Sequence, residues 1–329
     1  MQTRILGRTN RTVSAVGLGT WQLGADWGNV SEADALEVLG AGADVGVSFF
    51  DTADVYGDGR SEQVIGKFLR SRGPQHGITV ATKMGRRMDQ IPENYVLANF
   101  RAWTDRSRKN LGTDTLDLVQ LHCPPTAVVS SDEVYDALDT LVAEGAIASY
   151  GLSVETCQQA LEAIARPHVA TVQIILNAFR LKPLEAVLPA AQKAGVGIIA
   201  RVPLASGLLS GKYTATTTFA ADDHRNYNRD GSHFDVGETF SGVDYARGLE
   251  AATRFAELAA TAGTTPAQAA LAWVAQLEGV STVIPGARST DQAQANAAAG
   301  SLQQLGAAFN TEVAAIYNSL LRADIHPRW

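Results

Sequence analysis

Cysteine, positive charge and long apolar runs are all scarce in this chain of 329 residues. Its two cysteines, Cys123 and Cys157, form neither a CxxC pair nor a spaced framework, which argues against a disulfide scaffold or a zinc site. Lys and Arg number 27 against 34 Asp and Glu, a net charge of −7, and no basic block favours nucleic acid. No uncharged apolar run approaches the ~18 residues that span a membrane, and Met1–Arg4 leads into a polar turn rather than a leader. We therefore expect a cytoplasmic protein with no metal, nucleic-acid or membrane partner.

What the chain does have is a regular alternation of short apolar runs with longer segments of helical periodicity. Strands that are apolar throughout are typical of a parallel sheet covered on both faces. The predicted strands are Ser14–Leu18, Val47–Phe50, Ile78–Thr82, Leu116–Leu121, Ile147–Gly151, Val172–Leu176, Gly197–Val202 and Ser281–Ile284. The predicted helices include Glu32–Val45, Glu93–Leu111, Asp132–Glu144, Thr156–Ile164, Leu184–Lys193 and Pro266–Gln276. These units predict a single α/β domain over residues 1–329, a (β/α)8 TIM barrel.

Four polar residues of different chemistry end or follow separate apolar runs: the acid Asp51, the phenol Tyr56, the ammonium Lys83 and the imidazole His122. In a barrel the C-terminal ends of neighbouring strands meet at one face, where active sites lie. An ammonium beside a phenol stabilises the tyrosinate, so Lys83 should bring the pKa of Tyr56 toward working pH. Singly, each residue has a simpler explanation as a helix cap, a packed ring or a solvated charge. Together they predict a proton-donating site that needs no metal.

By type and order these four residues match the catalytic tetrad of the aldo-keto reductases, and the chain resembles that family, including its potassium-channel β-subunit branch, along essentially its whole length. Further matching segments are Gly151–Ser153, Val172–Gln173, Val202–Tyr213 and Ile284–Asn296. The resemblance implies that hydride passes from a nicotinamide cofactor to an aldehyde or ketone carbon while Tyr56 gives its proton to the developing alkoxide. It also implies that Asp51 holds Lys83 in place and that His122 orients the substrate oxygen.

The resemblance assigns further residues to the cofactor. Ser153 and Gln173 match positions that hydrogen-bond the nicotinamide carboxamide. The turn after the seventh strand suits a pyrophosphate through close backbone approach and one ammonium, and its matching residues are Pro203, Leu204, Ser206, Gly207 and Lys212. A glycine-containing turn that opens a helix favours anions, and the matching residues there are Gly286, Arg288, Gln292 and Asn296. Trp21 and Trp27, from the loop after the first strand, are expected at the substrate wall.

Two departures from the family pattern affect the cofactor assignment. Arg201 stands where many members carry an aromatic ring that stacks on the nicotinamide, so it either stacks there itself or faces an anionic or hydroxylated substrate. Gly286 stands where some members carry a lysine for the 2′-phosphate. That contact then falls to Arg288, assisted by Lys212 or Arg225. We expect NADP(H), with NAD(H) left open.

Two segments lie outside the alternation. Arg4–Val13, with the turn Gly7-Arg8-Thr9-Asn10, predicts a hairpin, which in the resembled family closes the barrel bottom. From about Thr214 to Asp244 a long irregular stretch follows the seventh strand. Loops of that length are usually functional or disordered. We interpret it as a lid over the cofactor, with a tolerated insertion as the alternative.

Three other functions compete with the reductase. A cofactor-binding regulatory subunit with little turnover keeps the same fold, but no segment precedes the first hairpin, which leads us to expect the enzyme. A Rossmann dehydrogenase is suggested by Gly17-Leu18-Gly19-Thr20-Trp21-Gln22, yet Gln22 replaces the third glycine. A sugar-binding barrel without a nucleotide fits the periodicity equally well.

Overall fold

The computed structural model describes residues 1–24 and 30–329. It opens with an antiparallel hairpin of β1 (Thr3–Ile5) and β2 (Thr12–Ser14). Eight parallel strands follow, each hydrogen-bonded to the next along the chain. They are β3 (Leu18–Gly19), β4 (Phe49–Asp51), β5 (Thr79–Met84), β6 (Leu118–His122), β7 (Tyr150–Ser153), β8 (Val169–Ile175), β9 (Gly197–Arg201) and β10 (Val280–Val283). The parallel bridges Val16–Val283 and Gly19–Gly286 join the first strand region to the last, which confirms the predicted (β/α)8 barrel.

Helices connect the strands and pack around the barrel. They are α1 (Glu32–Asp44), α2 (Arg60–Arg72), α3 (Leu97–Leu111), α4 (Thr126–Val129), α5 (Asp132–Ala143), α6 (Cys157–Ile164), α7 (Val187–Ala194), α8 (His224–Tyr227), α9 (Tyr245–Thr261), α10 (Pro266–Gln276), α11 (Thr290–Ala298), α12 (Gly306–Leu320) and α13 (Arg322–Ile325). Capping boxes start two of them, at Ser31 for α1 and Thr156 for α6, because these hydroxyls accept from otherwise unpaired amides. The helix predicted from Glu93 begins at Leu97 instead, since Pro92–Asn94 forms a separate 3-10 turn.

The hairpin closes the N-terminal end of the barrel, as predicted. Leu6 and Val13 are fully buried and belong to one apolar cluster with Phe49, Leu118 and Ile199 from the strands. The guanidinium of Arg8 donates hydrogen bonds to the carbonyls of Arg166, Pro167, Val169 and Ala194. The hairpin therefore seals the barrel by apolar burial at its centre and by charge-assisted hydrogen bonds at its rim.

The stretch after β9 is more regular than predicted. It contains α8 and two 3-10 turns, Val236–Glu238 and Phe240–Gly242. Asp223 and Asp235 cap α8 and the first of these turns, so the Asp-rich composition marks short capped turns rather than irregular chain. The Ser206 hydroxyl donates to the Glu238 carbonyl (2.9 Å) and accepts from the Phe240 amide (3.0 Å). The segment is thus bonded to the turn that follows β9.

Two further features bear on function. A cavity of about 820 Å³ opens at the N-terminal end of the barrel, lined in part by Gly77–Val80 and Leu116–Asp117. It is at the end opposite the one where barrel active sites lie. Among the described residues no helix is both long enough and apolar enough to cross a bilayer.

Candidate active site

The four residues of the predicted tetrad converge at the C-terminal ends of three neighbouring strands. Asp51 ends β4, Lys83 is the penultimate residue of β5, and His122 ends β6. All three side chains are buried. Tyr56 opens a 3-10 turn that follows β4, and its ring lies over the same strand ends. The parallel register brings the set together because consecutive strands end at the same face of the barrel.

Lys83 is the centre of the group. Its ammonium donates to the carboxylate of Asp51, to the Thr52 carbonyl at 2.8 Å and to the Tyr56 hydroxyl at 3.3 Å. Burial alone would lower the pKa of Lys83, but Asp51 and the phenol outweigh the burial and raise that pKa above its ordinary value. Lys83 therefore stays charged at neutral pH with all three ammonium donors used.

The pKa of Tyr56 departs from the expectation. Burial raises it above its ordinary value, and the positive charge of Lys83 acts in the opposite direction without outweighing the burial. The predicted net lowering toward working pH is therefore wrong, because the prediction left out the desolvation of the tyrosinate. Tyr56 keeps its proton at neutral pH, which is the form that a proton donor needs.

His122 is neutral. Burial lowers its pKa well below the ordinary value, and the positive charges of Arg86, Lys83 and Arg201 act in the same direction. Its ring meets that of Tyr56 edge to face, with 6.0 Å between centroids. No described residue bonds its buried Nδ1. A neutral imidazole can donate one hydrogen bond to a substrate oxygen without placing a second positive charge beside Lys83.

Two glutamines complete the surroundings of Asp51. Its second carboxylate oxygen accepts from Gln173 Nε2 at 2.7 Å and from Gln120 Nε2 at 3.2 Å. Gln173 is predicted from the sequence to contact the cofactor, whereas Gln120 is a residue of the site that was not predicted. The available signal was the single amide within the apolar run of β6, since an amide in such a strand must find partners when it is buried.

The Arg201 side chain, predicted to contact cofactor or substrate, is held between two carboxylates. It lies 2.8 Å from Glu155 and 3.1 Å from Glu238. Arg86 lies 3.6 Å and 3.8 Å from the same two residues. Burial would lower the pKa of Arg201, but Glu155 and Glu238 hold it well above the ordinary value. An anionic substrate would meet a guanidinium whose charge is already balanced, and a contact of Arg201 with the cofactor stays a prediction.

Within residues 1–24 and 30–329, the same carboxylates take part in one group of side chains that could in principle hold a metal ion. One ligand atom each from Cys123, Glu155 and Glu238 lie within 4.8 Å of one another. Arg86 and Arg201 occupy these carboxylates, so a cation would have to displace two guanidinium groups. The positive charges of Arg86 and Arg201 beside these carboxylates therefore disfavour a cation at this position.

Residues of the segment after β9 pack against Trp21, which lies beside Tyr56 of the tetrad. The Trp21 ring stacks near Tyr56, with centroids 6.2 Å apart, and approaches His224 at 5.2 Å and Phe234 at 6.3 Å. Glu238, from the same segment, pairs with Arg86 and Arg201. An aromatic wall with polar groups at one side is typical of a small-molecule pocket. Trp27, the second predicted wall residue, lies outside the described residues.

The predicted nicotinamide residues are adjacent. In the sheet, His122 is in register with Ser153, and Ser153 with Gln173. The Gln173 Nε2 group uses its hydrogens on Asp51 and on Gln120 Oε1, so Gln173 Oε1 is the atom suited to accept from a carboxamide. The turn that follows β9 carries left-handed backbone at Val202, Ala205 and Ser206. Such strain is costly for a β-branched residue and is concentrated at ligand sites.

The predicted phosphate residues lie further along the same face. Gly286, Arg288, Gln292 and Asn296 surround the N-terminus of α11, where Gln292 accepts from the Arg288 amide and Asn296 donates to the Gly286 carbonyl. Partial burial and the nearby Arg225 guanidinium both lower the pKa of Arg288. The Arg225 guanidinium is paired with the Asp223 carboxylate, so Arg288 is the residue of this pair that is proposed to bind a phosphate. The Lys212 side chain is exposed. The hydrogen-bond donors around the N-terminus of α11 fit a phosphorylated cofactor.

Gly286 lies against the side chain of Gln22. A Cβ at this position would lie 2.3 Å from the amide of Gln22. A lysine there would require Gln22 to move, because real Cβ atoms do not approach so closely. With glycine at position 286, the 2′-phosphate contact predicted for Arg288 needs no such movement.

A buried carboxyl group near Tyr56 should make stability depend on pH. Burial, followed by the charge of Glu62, raises the pKa of Asp54 to about 7. An acid with a raised folded pKa loses stability as pH rises from the unfolded to the folded value. Relative to Asp54→Asn, the wild type should therefore lose roughly 2–3 kcal/mol of unfolding free energy between pH 5 and pH 8. Urea unfolding of both proteins at each pH tests this. If the unfolding free energies of the two proteins differed by the same amount at pH 5 and at pH 8, the prediction would be contradicted.

The profile of the Aldo/keto reductase family matches residues 15–318. The aldo-keto reductase YhdN of Bacillus subtilis is 30% identical over 301 residues, covering 90% of this chain and 87% of that protein. A protein of Oryza sativa subsp. japonica named "Probable voltage-gated potassium channel subunit beta" is 31% identical over 312 residues, covering 89% of each chain.

Solved structures agree with the sequence comparison. Glycerol dehydrogenase AKR11B4 from Gluconobacter oxydans superposes with a TM-score of 0.80 at 28% identity, covering 99% of this chain and 98% of that one. An aldo-keto reductase from Klebsiella pneumoniae, solved in complex with NADPH, superposes with a TM-score of 0.70 at 25% identity, covering 96% of each chain.

Proposed function

Since this chain belongs to the Aldo/keto reductase family, we propose that it is an NADP(H)-dependent oxidoreductase that interconverts an aldehyde or ketone with its alcohol. The observation that best supports this reaction is the hydrogen bond from Lys83 Nζ to the Tyr56 hydroxyl, 3.3 Å long, with the same ammonium bound to Asp51. A phenol beside a fixed ammonium can give up a proton and take it back. Both directions are therefore open to the site.

The residues of the chain manage the proton and the substrate oxygen. When bound, the nicotinamide cofactor supplies or accepts the hydride. In reduction, Tyr56 donates its proton to the carbonyl oxygen as negative charge develops there, and Lys83 stabilises the tyrosinate that remains. His122 donates a hydrogen bond to the same oxygen. Asp51 keeps Lys83 charged and in place.

Other residues are proposed to hold the cofactor. Ser153 and the Oε1 atom of Gln173 would bind the carboxamide. The turn after β9, with Pro203, Leu204, Ser206 and Gly207, would approach the pyrophosphate. Arg288, supported by Arg225, would bind the 2′-phosphate, which favours NADP(H) over NAD(H). Proteins with the same fold that bind NADPH, such as the Klebsiella pneumoniae reductase, support this assignment.

Replacing Arg288 with alanine should weaken NADPH binding by roughly 1.5–3 kcal/mol, about ten- to a hundredfold, the scale of a hydrogen bond to a charged group. NADH binding should hardly change, because NADH lacks the 2′-phosphate. Titrating both cofactors against wild type and variant measures the two effects.

Arg254→Ala is the matched control. Arg254 lies on α9 and pairs with Glu250 four residues away. Its removal should leave both affinities unchanged. Equal losses of NADPH and NADH binding in Arg288→Ala would mean that Arg288 only supports the loop, and a wild type that binds NADH as tightly as NADPH would reject the NADP assignment.

The overall proposal is tested in two steps. Quenching of the five tryptophans on addition of NADPH reports binding, since Trp21 lies beside Tyr56. A panel of aldehydes, ketones and sugar-derived carbonyls then reports turnover through loss of nicotinamide absorbance, with glycerol and NADP⁺ as the oxidative arm. Binding without turnover of any member of the panel would contradict the enzyme.

A second candidate is a cofactor-binding regulatory subunit with little turnover. It is favoured by the 31% identity to the plant protein named as a potassium-channel β subunit. The presence of all four residues, with Lys83 hydrogen-bonded to both Asp51 and Tyr56, favours the enzyme. Tight NADPH binding combined with turnover far below the median of about 10 per second for enzymes would favour the regulatory subunit instead.

A further inference from the structure

One buried amide at the site has no role in the chemistry described so far. Gln120 lies in β6, two residues before His122, and is fully buried. In the register of the barrel it stands directly beside Lys83. A buried amide is costly unless it is hydrogen-bonded, so its presence in an otherwise apolar strand calls for a reason.

Gln120 is hydrogen-bonded to the Asp51 carboxylate. Its Nε2 donates to Asp51 Oδ2 at 3.2 Å, and its Oε1 accepts from Gln173 Nε2 at 3.3 Å. Gln173 Nε2 also donates to Asp51 Oδ2, at 2.7 Å. Two amides therefore converge on one carboxylate oxygen, while the other oxygen accepts from Lys83.

The two amide hydrogen bonds hold the Asp51 carboxylate in one rotational orientation. Without the amides, Asp51 could turn about its terminal bond, and the Lys83 ammonium would follow it. The ammonium meets Tyr56 at 3.3 Å, near the outer limit of an effective hydrogen bond. A small displacement of Lys83 would therefore remove its contact with the phenol.

We propose that Gln120 is a positioning residue: it fixes the Asp51 carboxylate, which in turn holds the Lys83 ammonium against the Tyr56 hydroxyl. This inference rests on the proposed role of Tyr56 as proton donor. Gln120 touches neither reacting atom and acts through the pair. Because Gln173 shares the same carboxylate oxygen, the nicotinamide end of the site and the proton-donating end are parts of one hydrogen-bonded group.

Loss of the Gln120 amide should raise the pKa of Tyr56. The amide dipole no longer offsets the negative charge of Asp51, and a freed Lys83 stabilises the tyrosinate less. Both effects have the same sign. We expect the midpoint of Tyr56 ionisation to rise by at least about 0.5 pH unit in Gln120→Met. The pH at which alcohol oxidation reaches half its plateau should rise equally, with little change in KM for the alcohol.

The test labels the protein with 3-fluorotyrosine, whose ionisation lies at lower pH than that of tyrosine, and follows the fluorine NMR signals of the eight tyrosines as pH rises. The Tyr56 signal is the one missing in Tyr56→Phe. Gln276→Met is the matched control, because that amide donates to the carbonyls of Leu302 and Gln303 far from Asp51. Gln120→Asn is the second variant, since it keeps a polar group in the core but withdraws its donor from Asp51.

A raised Tyr56 midpoint in both Gln120 variants and an unchanged one in Gln276→Met support the positioning role. A midpoint unchanged in either folded Gln120 variant overturns it, whatever the activity. The titration needs no turnover, so its outcome is separate from that of the proposed function. A raised midpoint in a protein that reduces no carbonyl would retain the positioning role and reject the reductase.

Discussion

Replacing Tyr56 with phenylalanine should lower the turnover of carbonyl reduction by at least about a hundredfold, the usual scale for loss of a positioned general acid. The variant removes one oxygen atom and keeps the ring that packs between Trp21 and His122. NADPH binding should remain nearly intact, because none of the proposed cofactor contacts uses the phenol. Single-turnover kinetics with saturating NADPH separates the rate of the chemical step from the rate of product release.

Tyr317→Phe is the matched control for this experiment. Tyr317 is a buried tyrosine on α12 whose hydroxyl contacts His326, so its replacement also deletes a buried hydroxyl. Turnover should stay close to the wild-type value. Near-normal turnover in a folded Tyr56→Phe protein would remove Tyr56 as the acid and leave His122 as the next proton donor to examine.

The sequence was sufficient to predict the barrel and to single out the four candidate residues that the structure brings together, because both predictions depend on local signals. Apolar runs ending in Asp51, Lys83 and His122 are visible without a structure, and parallel topology then dictates where their ends meet. Gln120 was overlooked because its partner, Asp51, is two strands away. Only the barrel register shows that two amides share one carboxylate oxygen.

The surroundings of Arg201 illustrate a different limit. Its position in β9 was recognised, but its charge balance depends on Glu155 after β7 and Glu238 in the segment after β9. The distance between such residues depends on how the loops pack, which side-chain periodicity does not encode. The pKa of Tyr56 was misjudged for a related reason: the charge of Lys83 is visible in sequence, whereas the burial that outweighs it is not.

The buried pair formed by Lys83 and Asp51 leads to the second large effect. Replacing Lys83 with methionine leaves Asp51 without its charged partner in the barrel interior. Removing one member of a buried ion pair costs about 3–5 kcal/mol, and the amides of Gln120 and Gln173 should keep the loss near the lower value. Because the folded pKa of Lys83 is raised above 10.5, its contribution is fully present at neutral pH and is lost only as pH rises through that folded value.

The same variant should also lose at least about a hundredfold in turnover, since the tyrosinate left after proton transfer is no longer stabilised. The double variant Asp51→Asn with Lys83→Met separates the two effects. It removes both charges and keeps an amide that can meet Gln120 and Gln173, so urea unfolding should recover most of the lost stability while turnover stays low. If turnover recovered together with stability, Lys83 would serve folding alone; if the single variant kept the wild-type pH profile of alcohol oxidation, Lys83 would not influence the ionisation of Tyr56.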